Sequence, residues 1–466
     1  MYTSIKNLSK LKTNFIKMDG LLPLYPNFKK IRFMEHTHAL IPLWASIPFA
    51  IMLLFIAIGP LFFHHWWEEN KNKLIISLAL GTPTAIYLIA NGLTDKLTHQ
   101  LVFDYIPFIV LLGSLFIITG GIQLKGDIEA KPAINTLFLA IGALLASFMG
   151  TTGAAMLLIR PVIKTNSERK YKVHTILFFI AVVANAGGLL TPLGDPPLFL
   201  LYLRGAPFEW FFHLTKEWAF VNGLLLVVYF IFDTYYHKKE PAANVKKDHT
   251  QIEKLGISGT YNFIFLIGIV LSVAFLNQNY LQIIKDNHYF GFIREAVMLS
   301  FAGMSLYFTP QLLRKENKFT WTPIIEVAFL FLGIFVTMVP ALLWLRDNAP
   351  TLGIDSVAMF YYATGGLSSF LDNAPTALAF HNLALGMVDP TATNLVAGIS
   401  EEFLTAISLG AVFFGAMTYI GNGPNFMVKA IAEENNISMP SFFGYIFKFS
   451  IIILLPIYIL TQLLFL

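Results

Sequence analysis

Two carboxylates of this sequence lie where charge is costly. Asp195 occurs in TPLGDPPLF (191–199), between the apolar runs TILFFIAVVANAGGLL and LLYL, and Asp372 occurs in LDNAPTA (371–377). A charged side chain at the centre of a membrane helix costs roughly 2.5–3.5 kcal/mol on insertion scales. A carboxylate in such a place therefore needs a partner or a function, and hard cations prefer oxygen ligands of this kind.

Neutral side chains that carry oxygen atoms occur in the motifs that contain these carboxylates and in the motifs that resemble them. They belong to Thr151, Thr152, Asn185, Thr191, Asn373, Thr376, Thr418, Asn422 and Asn425. We therefore predict an ion or substrate site made of these eleven residues, with Asp195, Asp372 and Asn422 as sodium ligands. Burial favours a neutral carboxylic acid and a bound cation favours the carboxylate, so that one aspartate can exchange a proton for sodium.

Each of these residues also has a structural interpretation. Asp372 fits a turn hydrogen bond within the sequence DNAP, and each asparagine fits a helix-terminal cap. Glu326, at the start of IIEVAFLFLG, is either a proton-accessible group or an interfacial carboxylate. His381 is either a pH sensor or a packed, hydrogen-bonded histidine. For Glu326 and His381 we favour the second interpretation.

The elements that position these residues are predicted to be membrane helices. Hydrophobic residues make up 56% of the chain and charged residues 13%, against about 25% charged in soluble domains. The absence of cysteine excludes disulfides, and a net charge of +4 is too small to indicate nucleic acid as a partner. Apolar windows of about 20 residues predict ten spans, at 39–63, 73–91, 103–123, 173–203, 218–237, 259–276, 293–310, 323–345, 402–430 and 441–465.

Two further segments are predicted to be re-entrant hairpins. Residues 133–163 and 355–388 are apolar at both ends and are interrupted by GTTGAA and LDNAPTA. A non-helical tip is tolerated at membrane depth only where it is buried in protein or lines a watery cavity. The basic connections, which are predicted to be cytoplasmic by the positive-inside rule, lie at 160–172, 237–254 and 314–318, and residues 1–38 form a basic N-terminal lead-in.

The segment around Asp195 has a second copy. TPLGDPPLF aligns with TYIGNGPNF (418–426) at one constant offset, which pairs Thr191 with Thr418 and Asp195 with Asn422. This predicts two repeats, with a hairpin and a broken helix in each and a cytoplasmic linker between them. They are placed at 39–237, with the broken helix 173–203, and at 259–466, with the broken helix 402–430, and the linker at 238–258.

Five spans and one same-side hairpin per repeat insert the second repeat upside down relative to the first. Inverted repeats with paired, Gly/Pro-interrupted helices indicate a secondary transporter whose site lies at the midplane. The fold class is therefore predicted as an all-α polytopic membrane protein of two inverted repeats. Ordinary packing kinks are the alternative explanation of the breaks.

The motifs resemble a known family. NAGGLLTPLGDPP together with LDNAPTA resembles the ion transporter superfamily and, within it, the NhaD-type sodium/proton antiporters, the melanosomal P protein and the putative citrate transporters. FFHHWWEENKNKLIISLAL, after the first span, is also similar to a connection in NhaD-like proteins. The resemblance covers most of 39–466 and implies two inverted repeats, often in a dimer. It does not fix the substrate, since relatives carry sodium, arsenite, sulfate or carboxylates.

The sequence thus favours a sodium/proton antiporter of the inner (plasma) membrane, with Na⁺ and H⁺ as transported ions and no cofactor. The alternative is a proton- or cation-coupled transporter of citrate or another carboxylate, which GTTGA at a hairpin tip partly fits. An intramembrane enzyme is disfavoured, because neither H-E-x-x-H nor G-x-S-x-G occurs. The expected partners are the small ion or carboxylate, the lipid bilayer and, from the resemblance, a second copy of the chain.

Overall fold

The computed structural model describes residues 41–250, 252–388 and 395–466, so that the basic lead-in 1–38 lies outside the described residues. These residues form an all-α polytopic membrane protein with very little sheet. Within the described ranges, eight helical segments are long and apolar enough to cross a membrane. They are Leu43–Pro60, Asn70–Ala90, Thr94–Thr119, Pro132–Met149, Val173–Leu190, Phe208–His237, Thr322–Thr351 and Phe442–Phe465.

We number the main helices along the chain. Those before the linker are α1 (Ile47–Phe62), α2 (Asn70–Ala90), α3 (Ile106–Thr119), α4 (Pro132–Met149), α5 (Thr151–Thr165), α6 (Val173–Val182), α7 (Pro196–Leu203) and α8 (Thr215–His237). Those after it are α9 (Asn262–Phe275), α10 (Phe292–Phe308), α11 (Thr322–Asn348), α12 (Val357–Ser368), α13 (Asn373–Leu385), α14 (Glu401–Phe414), α15 (Gly423–Glu434) and α16 (Leu455–Phe465).

Shorter elements connect or extend these helices. The short helices, including 3₁₀ and π segments, are Leu43–Ser46, His64–Glu68, Thr94–His99, Gln100–Tyr105, Ala186–Leu190, Phe208–Leu214, Ala242–Thr250, Gln282–Asp286, His288–Gly291, Gln311–Glu316, Ala349–Thr351, Gly415–Met417, Phe442–Tyr445 and Ile446–Leu454. The strands form two antiparallel pairs, β1 (Gln123–Asp127) with β2 (Glu253–Ser258) and β3 (Leu395–Val396) with β4 (Ile399–Ser400).

Two predicted spans are shorter than expected. The segments 259–276 and 293–310 form α9 and α10, of 14 and 17 residues. At 1.5 Å per residue, α9 is about 21 Å long, which is less than the roughly 30 Å of a hydrocarbon core. The predicted span also includes 259–261, which precede α9, and Leu276, where the helix ends, so that the apolar window overestimated its length.

The first predicted hairpin consists of α4 and α5, which pack against each other. The chain reverses at Gly150, whose φ of 80° lies in the left-handed region that glycine adopts without a steric penalty. The helix α4 is by itself long enough to span a membrane, which the hairpin prediction did not anticipate. In the second predicted hairpin, α12 and α13 also pack against each other.

Both predicted broken helices are interrupted in the structure. The segment 173–203 is divided into α6 and α7, and the segment 402–430 is divided into α14 and α15. Proline occupies the first turn of both α7 and α15, where its missing N–H costs nothing and its fixed φ favours helix initiation. In the span Val173–Leu190, 94% of the residues are buried, against 33% in the most apolar part of Asn70–Ala90, so this broken helix lies in the interior.

The two breaks share the same local design. Thr191 and Thr418 are both extended, and each donates its hydroxyl to a backbone carbonyl, that of Ser147 and that of Ser369, respectively. Asp195 and Asn422 also have similar extended backbones, with φ and ψ of −137° and 141° and of −150° and 139°. The two segments aligned at a constant offset in the sequence thus have similar local backbone geometry.

The matching helices end near opposite ends of α3. Arg204, after α7, pairs with Asp104, just before α3, at 2.8 Å. Asn435, after α15, lines the same cavity as Gln123, which follows α3. The matching helices α7 and α15 thus end near opposite ends of α3, which supports the inverted arrangement of the repeats. That arrangement stays a prediction because its orientation in a membrane is untested.

The three basic connections lie together on one face. Lys164 pairs with Glu253 at 2.5 Å, and Lys125 in β1 pairs with Glu316 at 2.6 Å. The pairing of β1 with β2 brings the linker to the same place. We call this side the basic face, and the positive-inside rule predicts that it is cytoplasmic.

Single cysteines can test this topology, because the chain has none of its own. Cysteines at Ser167 and Asn244, in the basic connections, should react only with maleimides that reach the cytoplasm. A cysteine at Asn287, in the connection before α10, should react from outside. Labelling of position 287 by a reagent confined to the cytoplasmic side would contradict the inverted arrangement.

Candidate functional site

The candidate site is built around Asp195. The residue directly precedes Pro196 and Pro197, which begin α7, so the chain is extended at Asp195 and its side chain is not part of a helical face. It is 1% exposed. A buried carboxylate at the start of a helix benefits from the positive end of the helix dipole, which partly offsets its desolvation.

Three side chains donate hydrogen bonds to this carboxylate. The hydroxyl of Thr151 lies 2.9 Å from Oδ1, and Nδ2 of Asn422 lies 3.0 Å from the same oxygen. Nδ2 of Asn373 lies 2.5 Å from Oδ2. The three donors come from the first hairpin, the second break and the second hairpin, so Asp195 lies where parts of both predicted repeats meet.

The tip of the first hairpin is fixed to the same place by its backbone. The N–H of Thr151 donates to the carbonyl of Gly194 at 2.8 Å. Thr151 is the first residue of α5 and Asn373 the first residue of α13, so the two hairpins contribute equivalent positions. The start of each hairpin's second helix is therefore within hydrogen-bonding distance of Asp195.

Asn373 has an unused oxygen beside the carboxylate. The residue is 1% exposed, and within the described ranges its Oδ1 accepts no hydrogen bond. An unpaired buried acceptor costs about 1–3 kcal/mol, which a cation ligand would offset. Rotation of an asparagine amide by half a turn exchanges its donor and its acceptor, so Asn373 and Asn422 can each present an oxygen to a cation at Asp195.

A second layer of asparagines joins the two breaks. Asn185 donates to Oδ1 of Asn425 at 2.7 Å and accepts from Asn422 at 3.2 Å. Asn425 in turn donates to the carbonyls of Gly415 and Thr418, at 2.8 Å and 2.9 Å. Asn185 and Asn425 thus satisfy backbone groups that the interrupted helices leave unpaired, which favours a structural role for both.

Three further predicted residues, Thr152, Thr191 and Thr418, lie around this centre without a described hydrogen bond to the Asp195 carboxylate. The hydroxyls of Thr191 and Thr418 are bound to backbone carbonyls, as described above. Thr152 lines a small cavity of about 70 Å³ beside the first hairpin tip, together with Gly194 and Pro196. The structure therefore places the two break threonines in the scaffold of the site and leaves Thr152 facing a void next to it.

Asp372 has the cap geometry that the sequence left open. Its Oδ1 accepts from the N–H of Ala374 at 3.0 Å, which caps α13, and its carbonyl accepts from the hydroxyl of Thr376 at 2.9 Å. It precedes Asn373 directly, so it stays close to the centre. Its carboxylate nevertheless does not join the three donors around Asp195.

Glu326 and His381 follow the structural interpretation. Glu326 pairs at 2.9 Å with Lys73, whose side chain is buried. His381 forms a hydrogen bond through Nε2 with the carbonyl of Ala397 at 2.8 Å. Neither contact involves Asp195.

Sequence reasoning missed a buried polar network below the first hairpin. The fully buried Asp233 contacts Arg169 at 2.6 Å, His174 at 2.8 Å and Asn135 at 3.1 Å. These partners come from the start of α4, the connection after α5 and the start of α6. The network fixes both ends of the hairpin whose tip contacts Asp195. An aspartate inside the apolar segment 218–237 was the available signal.

Comparison with known proteins finds a family and two relatives that match most of the chain. The profile of the family described as putative citrate transport matches residues 38–466. Two uncharacterized transporters, from Mycobacterium bovis and Mycobacterium tuberculosis, are each 23% identical over 412 residues, covering 79% of this chain and 87% of the relative. An inner membrane protein of Escherichia coli is 29% identical over 107 residues, covering 21% of this chain and 29% of the relative.

Proposed function

The chain belongs to the putative citrate transport family and is a membrane transporter, and from that premise we propose that it exchanges sodium for protons. Asp195 is the shared ligand of the two ions, and Asn373 and Asn422 supply neutral oxygens. The membrane is the inner (plasma) membrane. The observation that carries the proposal is a fully buried carboxylate held by three neutral side chains from both predicted repeats.

The charge of the site suits a monovalent cation. The three groups that contact Asp195 are neutral, so they leave its negative charge uncompensated when it is ionised. A proton or a sodium ion neutralises that charge. A carboxylate of a substrate placed about 4 Å from it would be repelled by about 4 kcal/mol at an effective dielectric constant of 20.

The exchange follows from competition for one carboxylate. Protonated Asp195 can donate a hydrogen bond, whereas sodium requires the ionised form with the asparagine oxygens turned towards it. The predicted inverted arrangement would supply the two-sided access that such an exchange needs. Its support is that α7 and α15 end near opposite ends of α3.

Coupled transport of citrate or another carboxylate is the second candidate, and the description of the family favours it. In that case Asp195 binds the coupling ion, and the neutralised site then accepts the anion. The anion would then be stabilised by the N-terminal ends of α5 and α13, where helices favour negative charge.

Flux measurements in proteoliposomes separate these functions. With a pH-sensitive dye inside, addition of external Na⁺ should move protons outward, and K⁺ at the same concentration should not. Citrate added without a sodium gradient serves as the test of the second candidate. Citrate-driven current without sodium-driven proton movement would replace antiport by carboxylate transport, and no response to either ion would contradict exchange at Asp195.

A further inference from the structure

A second cavity lies on the basic face, at the other end of α5 from Asp195. Its volume is about 730 Å³, within the range of small-molecule sites. The walls come from β1, the end of α5, the connection after α10, Glu253 of β2 and Asn435 after α15. None of the residues assigned to the sodium site lines it.

The charge of this basic cavity is unbalanced. Five cationic side chains line it, namely Lys125, Arg160, Lys164, Lys172 and Lys318. Two carboxylates line it, and each is already paired, Glu316 with Lys125 and Glu253 with Lys164. Arg160, Lys172 and Lys318 therefore face the cavity without an acidic partner in its wall.

The hydrogen-bonding capacity of two of these cations, Arg160 and Lys172, is also unfilled. Nη1 of Arg160 is buried and has no hydrogen-bond partner within the part of the chain that the structure describes. Lys172 donates to the carbonyl of Ser167 at 2.8 Å, which uses one of its three N–H groups. A buried guanidinium N–H without a partner costs free energy that a carboxylate or phosphate oxygen would recover.

Nearby acids reduce this charge but do not fill the cavity. Glu434 lies near Arg160, and Glu168 and Glu240 lie near Lys172. None of the three lines the cavity. The cavity itself therefore presents an excess of positive charge to a ligand.

We propose that this basic cavity binds a small anion with two or three negative charges, of the di- or tricarboxylate or phosphate class, between Arg160, Lys172 and Lys318. The guanidinium of Arg160 contacts two oxygens of one acidic group, and the two lysines act as point charges on the others. The ligand lies about 14 Å along α5 from Thr151. The site is independent of the proposed exchange, because it does not use Asp195.

Isothermal titration calorimetry in an uncharged detergent tests this site. Citrate and inorganic phosphate should bind to the full chain, and their affinity should fall as NaCl is raised. The double variant Arg160→Gln/Lys318→Gln should raise the dissociation constant for citrate at least tenfold, which corresponds to a loss of about 1.4 kcal/mol of binding free energy. Arg160→Lys, which keeps the charge but not the planar fork, should have an intermediate effect, and thermal unfolding verifies that each variant is folded.

Matched controls distinguish this site from the transport site. Lys216→Gln/Lys285→Gln removes the same charge from residues that do not line the cavity, and it should leave binding unchanged. Asp195→Asn should also leave it unchanged. Citrate binding that is lost in Asp195→Asn and kept in Arg160→Gln/Lys318→Gln would overturn the proposal and assign the anion to the transport site.

The phosphate group of a lipid could also supply the anion, and binding measurements in nanodiscs distinguish a lipid from a soluble ligand. If the ligand is soluble, citrate should bind equally in nanodiscs of phosphatidylcholine and of phosphatidylglycerol. Loss of citrate binding in phosphatidylglycerol, together with lipid retention that depends on Arg160 and Lys318, would assign the cavity to a lipid headgroup and overturn the soluble ligand. Absence of binding by citrate, phosphate and lipid would reject the site.

Discussion

Asp195→Asn should reduce sodium-driven proton movement to the level of empty liposomes while the protein still folds. The amide has the size of the carboxylate and can still accept from Thr151, so the hydrogen bonds around α7 are largely kept. It cannot carry a proton or a negative charge, so sodium would have only neutral ligands. The measurement is dye-reported flux, with size-exclusion profiles and thermal unfolding as evidence of folding.

The equivalent position 422 offers a matched rescue. Asn422 lies 3.0 Å from Oδ1 of Asp195 on the same local backbone geometry. The double variant Asp195→Asn/Asn422→Asp returns one carboxylate to the site and should restore part of the exchange. Wild-type flux in Asp195→Asn alone would remove Asp195 from the mechanism.

The same competition predicts a pH dependence in the wild-type protein. Sodium and protons that share one carboxylate exclude each other, so the apparent sodium affinity should weaken as the pH falls. In Asp195→Asn/Asn422→Asp the dependence should persist. Asp372→Asn is the comparison, since an asparagine can still accept from Ala374 and cap α13, and it tests whether the neighbouring carboxylate contributes.

Gly194→Ala should strongly destabilise the fold. A Cβ at this position would lie 1.9 Å from the carbonyl oxygen of Gly188. Gly188 and Gly194 belong to the same break, so the clash is with the backbone and not with a movable side chain. The backbone would have to separate, which would also weaken the bond from Thr151 N–H to the Gly194 carbonyl. We expect a loss of roughly 3 kcal/mol or more of stability, or no folded protein.

Two glycines at the second break provide comparison variants for the stability loss expected of Gly194→Ala. Gly421 is the equivalent of Gly194, and a Cβ there would lie 2.7 Å from the carbonyl oxygens of Gly415 and Ser368, so Gly421→Ala should be less severe. Gly423→Ala, where nothing lies within 4 Å of the added Cβ, should unfold like the wild type. Thermal unfolding in detergent orders the three variants, and an unchanged profile for Gly194→Ala would show that the close approach of the two chain segments is not required.

Local chemistry explains why the breaks were predictable. Pro196, Pro197 and Pro424 begin helices, and the glycines permit close backbone approach, so the two motifs predicted where helices end. The alignment also predicted that Asp195 and Asn422 are equivalent. It did not predict that they touch, because the contact depends on how the two repeats pack and not on either motif.

Other features of the site leave little or no trace in the sequence. The acceptors of the Thr191 and Thr418 hydroxyls are backbone carbonyls of Ser147 and Ser369, and any residue type supplies a carbonyl. The motif DNAP allows Asp372 either to cap or to bind an ion, and only the positions of neighbouring elements decide between them. The predicted spans 259–276 and 293–310 are longer than α9 and α10 because an apolar window does not locate the turn residues that flank a helix.

The pairing of one aspartate with one asparagine has an electrical consequence. A site with a single carboxylate is neutral when it holds either a proton or a sodium ion. If Asp195 alone binds the exchanged ions, one sodium moves for one proton, and the membrane voltage does no work on the cycle. An aspartate at 422 as well would place two carboxylates about 3 Å apart, where they hold a proton in common. If the proposed exchange uses Asp195 alone, the amide of Asn422 would keep that exchange driven by concentration differences and not by voltage.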